Sequence, residues 1–202
     1  MRAPVGLPRC FVSQGDPPSK QAILRAALAL FVKHGLDATN VRMIAAEAGY
    51  TNPAMFKFFE SKDALALFLF ERCYDRLQRA VAAAAGHGAF RESLAGVLDA
   101  FLSQMDEDLE AVLFVQDSLR ELWPRLPARV RKRSILRALR DLFERGIRER
   151  AVSGFRTSDV PVAALVGLVA QVGRMIYFGE MEAPARSHRA ELHLATTRML
   201  GR

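Results

Sequence analysis

Apolar residues recur three and four apart along most of this 202-residue chain, and glycine or proline interrupts them at intervals. That period belongs to amphipathic helices, since strands alternate every second residue. Ser19 is placed to cap a first helix reaching His34, with Ile23, Leu24, Ala27, Leu30 and Phe31 on its inner side. Gly35 should stop it in the left-handed conformation. Thr39 and Asn40 cap a short helix over 41–48, with Ile44, Ala45 and Ala48 inward, and Gly49 ends it. A third helix is expected over 52–58, capped by Thr51 or Asn52, with Pro53 in its first turn. Ser61 caps a long fourth over 62–85, before Gly86 and Gly88. Five more are expected over 89–105, 107–122, 126–151, 159–179 and 185–200. Their breaks are "WPRLP" at 123–127, "SGF" at 153–155, Pro161 in a first turn, and Gly179 followed by Pro184. No useful strand-like alternation and no internal repeat is present, so the expected fold is all-α with about nine helices. Four of the nine prolines fall in residues 1–18, which read as a flexible arm.

Half of the residues are apolar and the net charge is +7. A basic chain of this size suits a polyanionic partner, nucleic acid first, although an arginine-rich compositional bias gives the same balance. The two cysteines, Cys10 and Cys73, have no CxxC spacing, which fits a reducing cytoplasm and a buried structural thiol at Cys73. The longest apolar stretch, "VPVAALVGLVAQVG" at 160–173, reads as too short to span a bilayer. The first twenty residues lack the apolar core of a signal peptide.

Function concentrates at Ala45, Gly49 and Met55. A small residue, a glycine four later and an apolar residue six beyond is the helix-turn-helix spacing. Two helices that cross steeply need a small side chain where they touch, and their short turn needs positive φ. Met55 would close the core against Ile44. The spacing alone is only moderately specific.

The flanks extend it. Over residues 23–65, Ile23, Ala26, Ala27, Phe31, Gly35, Thr39, Val41, Ile44, Ala45, Ala48, Gly49, Phe59, Lys62 and Leu65 match a longer pattern without a gap. The stretch resembles the N-terminal DNA-binding domain of TetR/AcrR-type transcriptional regulators. The resemblance implies a helix-turn-helix DNA-binding domain at 19–65 (motif about 40–59) and an effector-binding and dimerisation domain at 66–202. It also implies that the third helix enters the major groove. Four positions depart from the family, which commonly has Val at Tyr50, Lys at Asn52, Tyr at Phe56 and His at Phe58. The usual tyrosine-to-phosphate bond is therefore in question.

Around the motif, Tyr50, Thr51, Asn52, Phe56 and Lys57 form the leading edge. Asn52 either pairs with an adenine edge or caps the helix. Tyr50 either meets sugar and thymine methyl or packs into the turn. Thr39, Arg42, Lys57 and Lys62 are placed for phosphates. Phe56 and Phe58 either touch DNA or pack inward.

Regulators of the resembling family bind palindromic double-stranded operators as homodimers, with half-sites about 34 Å apart. Helix 159–179 carries Ala163, Gly167, Ala170 and Gly173 beside Leu165, Leu168, Val169 and Val172; helix 185–200 offers Leu192, Ala195, Thr196 and Met199. Packed on their symmetry mates they would form the homodimer interface, and burial within one subunit is the alternative. An apolar small-molecule effector would be lined by Phe101, Met105, Phe114, Trp123, Phe143, Val169 and Met175, with Gln104, Gln116 or Asp117 as polar anchors. Apolar walls of this kind describe a helical core equally well.

No catalytic or metal constellation emerges, and no cofactor is implied. His188 and His193 are not at i, i+4 spacing, and Asp106, Glu107, Asp108 and Glu110 read as a solvated, helix-capping run rather than a calcium loop. The basic stretch at 125–140 reads as a solvated helix face with Ile135, Leu136 and Leu139 inward. The expected function is a ligand-responsive repressor without enzymatic activity. A helical small-molecule-binding or scaffolding protein is the alternative.

Overall fold

A computed structural model describes residues 11–13, 15–86 and 88–199. The expected arm at 1–18 falls outside them at residues 1–10 and 14, Cys10 included. All regular structure among the described residues is helical. The helices are α1 (Pro18–His34), α2 (Val41–Ala48), α3 (Asn52–Phe56), α4 (Lys62–Ala85), α5 (Phe90–Leu122), α6 (Ala128–Arg131), α7 (Ile135–Arg148), α8 (Asp159–Phe178) and α9 (Arg189–Met199). Short 3-10 turns cover Trp123–Arg125 and Ala185–His188.

The chain divides into two compact units. The first runs to Tyr74 and includes Glu110–Leu126; the second holds Asp75–Leu109 and the chain from Pro127.

In the first unit α1 begins at Pro18, with Pro17 at its cap position and no side-chain cap bond, so Ser19 is not the cap. Asp16 does the anchoring instead. It accepts from the Ser13 amide at 3.0 Å and from Lys20 Nζ at 2.8 Å. The lysine hydrogen bond holds the Asp16 carboxyl below the usual carboxylate range, against some opposition from burial. Just upstream, Phe11 is fully buried. Ile23, Leu24, Ala27 and Phe31 of α1 are buried as their spacing requires. Phe31 stacks on Phe114 at 5.7 Å, and Phe114 meets the Phe70 ring edge-on at 6.3 Å. Gly35 has φ 83° and ψ 165°, so it takes an extended positive-φ conformation and not the left-handed helical one expected. Ser61 accepts from the Ala64 amide at 3.0 Å and starts α4 as its sequence position suggests.

The break expected between helices 89–105 and 107–122 is present as a kink in α5 at Asp108, φ −159°, ψ 79°. Other expectations are corrected in the second unit. The helix expected at 126–151 is broken: α7 starts afresh at Ser134, whose hydroxyl accepts from the Arg137 amide at 3.1 Å. Ile135 and Leu139 point inward from it, but Leu136 is exposed. The acidic run is only partly solvated, with Asp106 and Glu107 exposed. Asp106 accepts from the Ala185 and Arg186 amides, at 2.5 and 3.2 Å, Glu107 pairs with Arg76, and Asp108 is buried.

Helix α8 differs from its sequence reading in another way. Its mean hydropathy over an 18-residue window reaches 1.6, and the 20-residue helix is long and apolar enough by length and composition to cross a membrane. Core helices of other folds meet the same criterion. Leu165, Val169, Val172 and Gly173 are buried in the unit, while Val160, Ala163, Gly167, Tyr177 and Phe178 are exposed. Cys73 of α4 is buried.

Candidate nucleic-acid interface

The helix-turn-helix forms because α2 and α3 each present one apolar face to α1. Ile44 and Ala45 of α2 are 0% and 2% exposed, and Met55 of α3 is 0% exposed. Ala45 has no side chain beyond Cβ, which lets the helices close on one another. The turn rests on Gly49 at φ 73°, ψ 27°. There the Tyr50 amide donates back to the Ala45 carbonyl at 2.9 Å and satisfies the end of α2. A Cβ at Gly49 would meet no neighbour, so the glycine serves the backbone angle alone. At the other end of α2, Asn40 Oδ1 accepts from the Met43 amide at 3.1 Å, which makes Asn40 the cap and frees Thr39 from that task.

Thr39 turns inward instead. It is fully buried, and its hydroxyl lies 2.8 Å from the Gly35 carbonyl and 3.2 Å from that of Leu30. Lys62 is also engaged internally, donating from Nζ to the Leu36 carbonyl at 2.6 Å. Both residues, expected from the sequence at phosphates, have a structural task that holds the loop between α1 and α2.

The rest of the expected edge is outward. Arg42, Thr51 and Lys57 are exposed and Asn52 is half-buried. Helix α3 ends at Phe56, shorter than the expected 52–58, so Lys57 follows its last residue. Thr51 occupies the cap position without a side-chain bond, and Asn52 is the first helical residue, so neither side chain is spent on capping. Tyr50 is 41% exposed. The four-residue run containing three phenylalanines separates cleanly: Phe56 is 52% exposed, Phe58 half-buried and Phe59 7% exposed. Phe59 is held edge-on against Phe68 at 5.3 Å. Phe68 is in turn covered by the Lys20 ammonium at 5.0 Å and the Arg72 guanidinium at 4.8 Å.

The expected effector-lining set is divided. Phe114, Gln116 and Trp123 belong to the first unit; Phe101, Gln104, Met105, Phe143, Val169 and Met175 belong to the second. Phe114 and Phe143 are core residues, the latter packed 5.6 Å from Phe90. Trp123 packs on Tyr74 at 4.9 Å. Gln116 is half-buried, and its Oε1 is buried without a hydrogen-bond partner. No local sequence signal links His193 to Asp99, because their pairing spans 94 residues.

An all-helical chain whose first unit carries this turn, this buried inner face and this polar outer edge is a helix-turn-helix DNA-binding protein. Residues 23–69 match the family described as "Bacterial regulatory proteins, tetR family". Those residues are the DNA-binding domain of a tetR-type regulator. Among solved structures, the ketosteroid transcriptional regulator KstR2 of Mycobacterium tuberculosis is similar, with a TM-score of 0.78 and 19% identity over 95% of this chain and 99% of that one. A tetR-family bacterial regulatory protein from Rhodococcus RHA1 has a TM-score of 0.77 and 21% identity over 92% of this chain and 98% of that one. The fatty acid degradation regulator FadR from Bacillus halodurans has a TM-score of 0.70 and 18% identity over 92% and 97%. These likenesses are of fold. No curated protein matches the chain.

Proposed function

We propose that this protein is a dimeric transcriptional repressor of the cytoplasm that leaves its palindromic operator when a small, largely apolar effector binds, and that it is not an enzyme. The observation that carries the DNA-binding part is the exposed edge from Tyr50 to Lys57, set on a motif whose opposite face is buried at Ile44, Ala45 and Met55. Arg42 and Lys57 supply phosphate contacts. Asn52 reads a base edge, and Tyr50 and Phe56 offer apolar surface to sugar and thymine methyl.

Support for the dimer comes from α8. Gly167 lies in mid-helix, where glycine costs about 1 kcal/mol relative to alanine. A Cβ there would touch nothing within 4 Å in this chain, so no internal contact demands a glycine. With Val160, Ala163 and Phe178 also exposed, the face suits close approach by the same helix of a second copy. For the effector, Gln116 supplies an unmet buried acceptor among the expected anchors. Two of the similar structures are regulators named for ketosteroids and for fatty acid degradation, in keeping with an apolar ligand. The effector would shift operator affinity through a coupling of about 1–3 kcal/mol, with the 24-residue α4 as the element that tilts.

Selection from random DNA, followed by salt titration of the selected site, tests the reading. The expected result is a palindrome whose binding weakens steeply with salt. In Lys57→Ala all sequences should weaken alike and the salt slope fall by about 1; in Asn52→Ala one base position should relax. Absence of any selected motif and of any salt-dependent binding would leave a helical ligand-binding or scaffolding protein instead.

A further inference from the structure

A cleft of ≈ 130 Å³ opens in the second unit between α5 and α9, and none of the expected effector residues lines it. Phe90, Leu94 and Leu98 recur at i, i+4 on one face of α5 and form an apolar wall. They are 3%, 8% and 1% exposed, so the wall is part of the core. It is also rigid. A Cβ on Gly146 would stand 2.4 Å from Phe90 Cδ2, and Phe143 packs 5.6 Å from the same ring. The Phe90 ring thus lies directly on the α7 backbone.

Arg91, His193 and Thr197 also line the cleft. Arg91 is exposed and has no ion pair among the described residues, and the Thr197 hydroxyl has no hydrogen bond there. The nearby negative charge is already taken. Asp99 receives Arg189 Nε at 2.6 Å and Nη2 at 2.7 Å, and its second contact is His193 Nε2 at 3.1 Å. A carboxylate neutralised by a bidentate guanidinium does little to repel an anion, which leaves Arg91 as the unpaired charge at the rim.

Volume and polarity then define the occupant. An apolar cavity of about 150 Å³ accommodates benzene, so a cleft of ≈ 130 Å³ takes one ring or a short branched chain. We propose that this cleft binds a small carboxylic acid with an aromatic or branched apolar body. The body lies on Phe90, Leu94 and Leu98, and the carboxylate is held by the Arg91 guanidinium and the Thr197 hydroxyl. The site is independent of the operator and of the effector residues proposed above.

Benzoate is the probe, titrated into the full chain carrying methyl-labelled threonine. The expected result is a saturable shift of the Thr197 methyl resonance. Benzyl alcohol, with the same ring and no charge, should bind about tenfold more weakly, because it forgoes a charge-assisted hydrogen bond. Arg91→Ala should weaken benzoate by about the same factor, and Arg91→Lys should lose less. Arg91 is exposed, so these variants keep the fold. The proposal is overturned if benzoate leaves the Thr197 resonance unmoved up to about 10 mM, where a 1 mM site would be nine-tenths filled. It is equally overturned if benzyl alcohol matches benzoate, or if Arg91→Ala binds benzoate as the parent does.

Discussion

Thr39→Val separates two tasks that one threonine cannot serve together. Its sequence position suggests a phosphate contact, whereas the folded chain buries it completely and directs its hydroxyl to Gly35 and Leu30. Valine keeps the shape and removes the donor. The bond to the Gly35 carbonyl, at 2.8 Å, is the shorter of the two and carries most of the loss. A buried acceptor stripped of its donor costs about 1–3 kcal/mol. Gly35 itself is exposed, so water can reach its carbonyl and the cost stays near the lower end, about 1 kcal/mol. For a chain of this size that lowers Tm by about 2–4 °C. Operator affinity, measured by fluorescence anisotropy well below the melt, should stay within about twofold of the parent, since no bond to DNA is removed. A hydroxyl bonded to phosphate predicts the reverse. Its loss would weaken every operator by about tenfold or more and leave the melt in place. An unchanged Tm with a tenfold loss of affinity would refute the inward assignment of Thr39.

Phe56→Ala should leave stability within about 0.5 kcal/mol, because the ring is already 52% exposed, while weakening operator binding. Phe59→Ala, at 7% exposure, should cost about 3–5 kcal/mol in a denaturant titration. Gly167→Trp should halve the mass found by light scattering yet leave the helical circular dichroism of the monomer, since its Cβ meets only open space within the chain. Asp99 is held below the usual carboxylate range chiefly by its hydrogen bond from Arg189, with burial opposing and His193 assisting. Its folded pKa is the depressed one, so its contribution is present above the unfolded carboxylate pKa and is lost as pH falls through the folded value. Asp99→Asn should therefore melt with a shallower loss of stability below about pH 4 than the parent, and a parallel fall in both proteins would remove Asp99 from the acid response.

Local chemistry carried much of the fold into view from the sequence. Asn40 and Gly49 bound α2, Ser61 starts α4, and the apolar spacing of α1 places Ile23, Leu24, Ala27 and Phe31 inside. Each signal acts within one turn of its own residue. The misread boundaries depend on distant partners or on exchangeable residues. Asp106 in the acidic run accepts from amides 79 and 80 residues away. Ser134 restarts a helix inside a basic run whose periodicity never breaks.

The interface poses a different problem, because polar residues beside a motif look alike until their internal duties are known. Thr39 and Lys62 hold backbone carbonyls of the α1–α2 loop. Arg42, Tyr50, Phe56 and Lys57 remain exposed, and neither Thr51 nor Asn52 spends its side chain on capping α3. A group already bonded inside the fold must break that bond to meet DNA, so it adds little net affinity. An exposed group with no internal bond gives up only water. On that ground the proposed recognition edge consists of these six residues. The two phenylalanine departures from the family pattern then separate as well: Phe56 stands in the edge as apolar surface, and Phe58 is half-buried. In the proposed operator contact Phe56 meets sugar and methyl groups by van der Waals fit, so its loss should leave the salt slope unchanged, unlike that of Lys57.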